Sequence, residues 1–137
     1  MKLYLDQNLF PALGEPLAKL HRRHQFRSPQ QESLGGVEDI ELFETLQTLD
    51  FDAIITQDAN QLVRDEERTA LRRCSLHWIG VPQLNEPGTH GLASQLAMVT
   101  LGLPYFFDDV DSHSEPHLYR LRPVTGRHSR QPTIEPL

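Results

Sequence analysis

The sequence predicts an α/β fold: a three-layer α/β/α sandwich around a central, mainly parallel sheet. Three observations point to it. Short apolar, strand-like runs alternate with stretches of helical period, the signature of strands joined by crossover helices. One run, "FDAIIT" at 51–56, is continuously apolar, as in strands buried on both faces. Acids follow the ends of two of these strands, and ligands of open α/β sheets collect at the carboxyl ends of strands.

Taken in order, residues 2–5 form the first strand, with Tyr4 and Leu5 favouring pleated backbone. Leu13, Leu17 and Leu20 then mark a helix in which Gly14 and Pro16 predict a kink or a restart. "HQFRSP" (24–29) is a weak second strand, and "PQQESLGG" (29–36) is expected as loop. From Glu38, apolar residues at Ile40, Phe43, Leu46 and Leu49 follow helical spacing, with Asp39 in the first turn. After "FDAIIT" comes the polar cluster "QDANQ", a charged helical stretch at 61–73, and another strand in "SLHWIGVP" (75–82) with Trp78 in the core. Thr89 is expected to cap a last helix carrying Leu92, Leu96, Val99 and Leu103, which Gly102 and Pro104 should end. Residues 1–104 are therefore expected to form the domain and 105–137 a C-terminal extension. That extension is strand-like at "LYRLRPV" (118–124), with a tail from about Thr125 that is disordered or held by a partner.

Composition narrows the function. With 137 residues the chain can bury a core, and 38% hydrophobic against 23% charged residues is globular. No apolar run approaches a membrane span, and no leader segment is expected ahead of the first strand. Cys74 is the lone cysteine, so no disulfide framework is expected; it is read as a small buried residue, and a reducing cytoplasm is the expected compartment. A net charge of −6 argues against a protein that merely coats nucleic acid, but not against an enzyme holding metal ions with clustered acids.

Those acids are Asp6, after the first strand, Asp58, two residues past "FDAIIT", and Asp39, at the start of the helix preceding that strand. Converging on one sheet edge, three carboxylates would repel one another and raise one another's pKa values. A divalent cation removes that penalty, and oxygen ligands suit Mg²⁺ or Mn²⁺. Singly, each acid has a plainer explanation as a turn former, a cap or a dipole partner. Their joint placement is what points to a site.

The segments "LYLDQN", "EDIELFETL" and "IITQD" together resemble the PIN-like nucleases, among them ribonuclease toxins of the VapC type and small PIN-like proteins with an "LDxN" first-strand motif. The resemblance spans roughly residues 1–82. It implies a parallel sheet flanked by helices and an Mg²⁺- or Mn²⁺-dependent endoribonuclease, catalysis and metal binding falling to Asp6, Asp39 and Asp58. Asn8 then matches the amide after the first acid, Glu38 neighbours Asp39, and Thr56 supplies the "T-x-D" setting. Many relatives carry an acid where this chain has Asn60, which would weaken metal affinity or activity. The implied partners are an RNA substrate and, for a toxin, an antitoxin protein; related nucleases often form homodimers.

Two alternatives stand beside the nuclease. One is a PIN-like binding or scaffold module that has lost catalysis, kept open by Asn60. The other is a receiver-like domain phosphorylated on aspartate, disfavoured because Gln7 follows Asp6 and no lysine lies beyond Lys19. "HRRH" (21–24) could contact phosphates or simply complement a helix C-terminus. His113 and His117 have metal-like spacing, but Pro116 lies between them. The Arg-rich end, Arg120, Arg122, Arg127 and Arg130, is either an RNA-backbone surface or a solvated tail.

Overall fold

The computed structural model describes residues 1–124 and residue 132. Five strands form one sheet in the order β2-β1-β3-β4-β5, every neighbouring pair parallel. They are β1 (Lys2–Leu5), β2 (Gln25–Arg27), β3 (Ala53–Thr56), β4 (His77–Gly80) and β5 (Leu118–Arg120). Helices α1 (Gly14–Leu20), α2 (Pro29–Glu32), α3 (Asp39–Thr48), α4 (Asp65–Arg73) and α5 (Gly88–Asp109) connect them.

Side-chain alternation along the strands builds two cores. Leu3, Leu5, Ala53, Ile55 and Ile79 face a layer that includes Leu13 and Leu17 of the α1 region and Met98, Val99 and Leu103 of α5. Tyr4, Ile54 and Trp78 face the opposite layer, with Leu42, Phe43 and Leu46 of α3 and Ala70 and Leu71 of α4. The register Leu3↔Ala53↔His77 and Tyr4↔Ile54↔Trp78 keeps each set on its own face. Cys74 is buried in the second core, and burial pushes its thiol up, so it serves as packing.

Several expectations are refined. A single turn of 3-10 helix, Pro11–Leu13, precedes α1, so the helix restarts at Gly14, and Leu20 at its end is exposed. "PQQESLGG" is not wholly loop: Pro29–Glu32 closes one helical turn, because Ser28 and Gln31 form a reciprocal capping box ahead of Pro29 at the first helical position. The last helix does not stop at Gly102 or Pro104. It begins at Gly88, after Pro87 rather than a Thr89 cap, and runs to Asp109. An interior proline costs about 3 kcal/mol, but the buried stripe of Val99 and Leu103 continues through Phe106, whose ring packs edge-on against Tyr119 of β5. Burying a Phe side chain returns roughly 1.5–3 kcal/mol. Of the tail, only residue 132 lies among the described residues, so the expectation for Thr125 onward, and Arg127 and Arg130 with it, falls outside them. Among the described residues no helix is long and apolar enough to cross a membrane.

The amino edge of the sheet gathers imidazoles. His21 caps the end of α1, His24 stacks on Phe107 with ring centroids 3.8 Å apart, and His77 sits against Phe106 and Tyr119. Arg22 and Arg23 lie at this edge, one turn ahead of β2, so "HRRH" is remote from the strand ends that follow Asp6 and Thr56. His113 hydrogen-bonds Asp109 and stacks on His117, whose backbone N–H donates to His77 Nδ1. Burial holds His21, His24 and His77 below the ordinary 6.5; neighbouring His117 pushes the same way at His77, as the N-terminus does at His24, while Asp52 opposes at both. The sign follows from linkage: as pH falls below about 6.5 the unfolded chain takes up protons before the folded one, so stability present above that pH is lost on acidification. We expect the denaturation midpoint to fall between about pH 7.5 and 5.5, and His77→Phe to flatten that fall; an equally steep fall in the variant would refute the assignment.

Candidate functional site

With all strands parallel, their carboxyl ends share one edge. The chain leaves β1 toward β2 on one side and returns to β3 on the other, so β1 and β3 flank the point where the winding reverses. Ligands of open α/β sheets bind at this switch point. Asp6 lies there: its N–H donates to Ile55 O at 2.9 Å, continuing the β1–β3 pairing, and it is 6% exposed.

The Asp6 carboxylate is held by four donors. Oδ1 accepts from Gln7 N (2.7 Å), and Oδ2 accepts from Thr56 Oγ1 (2.6 Å), Asn8 Nδ2 (3.0 Å) and Gln61 Nε2 (3.2 Å). Asn8 also donates to Thr56 Oγ1 at 3.0 Å and accepts from Gln57 N at 2.9 Å, stitching the two strand ends together. Thr56, fully buried, further accepts from Asp58 N at 2.9 Å. One hydroxyl and one amide thus fix the direction of Asp6.

Asp39, the first residue of α3, accepts from the same Gln61 Nε2 at 2.8 Å. Burial raises its carboxyl above the ordinary range; the charges of Glu67, Asp58 and Asp6 add to that, and the Gln61 hydrogen bond opposes it. Asp58 is differently employed. Its Oδ1 accepts from Asn60 N at 2.9 Å and caps the 3-10 turn Ala59–Leu62. Asn60 is exposed on that turn, and Glu38 precedes α3, exposed and without a capping hydrogen bond.

The residue that the sequence did not reveal is Gln61. It is 1% exposed, its amide nitrogen bridges Asp6 and Asp39, and its carbonyl accepts from Trp78 Nε1 at 3.2 Å. Trp78 reaches it because its ring lies across Gly80, where an added Cβ would come within 2.2 Å of the indole. The available signal was a glutamine closing the polar cluster "QDANQ" beside buried Leu62.

Among the described residues no three acids, imidazoles or thiols stand close enough together to hold a metal ion as they are placed. The carboxylates meet as a pair, Asp6 and Asp39, with an N–H donor group between them. In kind the pair fits a hard divalent cation: two oxygen donors converge on one point, now marked by a partial positive charge, and burial penalises their shared negative charge.

Beside Asp58 the edge opens into a cleft of about 460 Å³, lined by Gln57, Asp58, Asn60, Trp78, Pro82 and Arg120. Arg120, exposed at the end of β5, lies 5.5 Å from the Trp78 ring centre and brings a cation to this edge. The two lysines are elsewhere: Lys2 donates to Leu49 O and Lys19 pairs with Glu15.

A family model described as a PIN like domain matches residues 1–82. The chain belongs to the PIN-like domain family. That match includes every site residue from Asp6 to Gln61, and the all-parallel sheet flanked by helices agrees with it. PIN-like domains are generally nucleases and typically use divalent metals. No curated protein and no solved structure matches the chain.

Proposed function

We propose that this PIN-like protein is a divalent-cation-dependent endoribonuclease. The observation that carries the reading is the convergence of Asp6 and Asp39 on one point at the β1/β3 switch. Asp6 and Asp39 are the residues that would hold Mg²⁺ or Mn²⁺, with Asp58 at the mouth of the adjoining cleft. Bound there, the cation supplies an acidified water and offsets phosphoryl negative charge. Asn8 and Thr56 orient Asp6, and Arg120 offers a guanidinium to a backbone phosphate entering the cleft. The test is cleavage of mixed RNA oligonucleotides with and without Mg²⁺ or Mn²⁺; no cation-dependent cleavage of any RNA overturns the reading.

Within this reading, Arg120→Ala is expected to weaken RNA binding about fivefold to tenfold and to reduce the salt dependence of binding by about one counterion. An unchanged salt slope removes Arg120 from the RNA path.

The role of toxin in a toxin–antitoxin pair is the finer proposal, taken from the resemblance to VapC-type enzymes. A small protein encoded in the adjacent gene that binds this chain and suppresses its cleavage is its expected partner. The competing reading is a PIN-like RNA-binding module without catalysis, favoured by the four donors already satisfying Asp6 and by exposed Asn60 in place of an acid. Millimolar Mn²⁺ separates the two, since a ligand that binds only the folded state raises the melting temperature.

A further inference from the structure

Glu67, the third residue of α4, carries a buried charge that its surroundings do not offset. Its side chain is 8% exposed. Oε1 accepts from Arg64 Nη1 at 3.4 Å, long for a charge-assisted bond, and the Arg64 side chain is 77% exposed. Oε2 is buried with no hydrogen-bond partner among the described residues. Leaving a buried acceptor unmade costs about 1–3 kcal/mol, and more when it is charged. The first turn of a helix favours an acid by only about 0.3–1 kcal/mol. Local structure therefore leaves this carboxylate unexplained, and an absent ion is one of the few causes of such an orphan.

Its position supplies the direction. α4 packs on α3, and α3 begins with Asp39. Among the charges that raise the Asp39 carboxyl, Glu67 acts more strongly than Asp58 or Asp6. Glu67 thus bears on the same point as the Asp6–Asp39 pair, while Asp58 is committed to capping its turn and Asn60 is exposed.

We propose that Glu67 is the third carboxylate of a divalent-cation site shared with Asp6 and Asp39, the Gln61 amide marking the cation's place between them. The proposal rests on the cation-dependent reading above and names a ligand that lies outside the strand-end acids. It also accounts for how a site with asparagine at position 60 keeps three negative charges. Oxygen-only donors of this kind select Mg²⁺ or Mn²⁺ over softer metals.

The test is calorimetric titration of the full chain with MnCl₂ near neutral pH, paired with melting of the metal-free protein. Glu67→Gln should weaken Mn²⁺ binding about tenfold or more, with a metal-free melting temperature equal to or above that of the wild type because an unpaired buried charge is gone. Arg64→Ala, an exposed change that removes the competing guanidinium, should tighten Mn²⁺ binding severalfold. Wild-type Mn²⁺ affinity in Glu67→Gln, with a lowered melting temperature, would make Glu67 a structural partner of Arg64 and overturn the proposal while leaving the nuclease reading intact. If Glu67→Gln does not fold, Arg64→Ala decides, and unchanged affinity there overturns it. A wild-type protein that binds no Mn²⁺ removes both readings together.

Discussion

Asp6→Asn is expected to lower cation-dependent RNA cleavage by about 10²–10³-fold, the scale of losing one preorganised electrostatic group. The substitution keeps the shape and removes the charge that a cation would need. It also disturbs the folded state. Oδ2 accepts three donors and Oδ1 accepts the Gln7 N–H. An asparagine has one acceptor oxygen, so whichever way it turns, its NH₂ group faces a donor. One such mismatch costs about 1–3 kcal/mol, which a chain of this size should survive with a lower melting temperature. Circular dichroism and melting therefore accompany the assay, with Asp50→Asn, an exposed acid in the left-handed region that asparagine tolerates, as the charge-matched control. A folded Asp6→Asn protein that cuts RNA like the wild type would remove Asp6 from the site.

The parts of this molecule that were legible in its sequence are those governed by local pattern. The run at Leu3 and Leu5 and the continuous "AIIT" announce strands because burial on one or both faces leaves its mark on successive residues. Asp6, Asp39 and Asp58 stood out because each directly follows or precedes such an element. What lay hidden depends on the third dimension. Asp58 looked like a ligand, yet its carboxylate caps a 3-10 turn, and that turn carries Gln61 inward to where the acids meet. Glu67 was one of three consecutive acids at the start of a charged helix. Nothing local distinguishes it from Asp65 and Glu66, which are exposed; only packing against α3 buries it. Pro104 misled for the same reason, since the loss of one helical hydrogen bond is local while the packing of Phe106 against β5 is not.

Gln61→Ala should be the most destabilising single change at the site, by about 3–4 kcal/mol, because it damages three interactions at once. The Trp78 indole N–H loses its acceptor in a buried setting, at about 1–3 kcal/mol. Asp6 and Asp39 both lose a donor, and their charges then face each other with no dipole between them. The Asp39 carboxyl, which the Gln61 hydrogen bond now pulls down, should move further above the ordinary range. The removed side chain also leaves space between the carboxylates. A divalent cation in that space would restore the lost attraction, so Mn²⁺ should recover more stability in Gln61→Ala than it adds to the wild type; saturation at a hundred times Kd is worth about 2.7 kcal/mol. Gln61→Leu is the control, since it removes the same hydrogen bonds but fills the space, and Mn²⁺ should rescue it little. Urea denaturation of the three proteins with and without Mn²⁺ measures all of this. Equal stability of Gln61→Ala and wild type without metal would show that the amide does not hold the two acids together, and equal rescue of the Ala and Leu variants would show that the cation binds elsewhere.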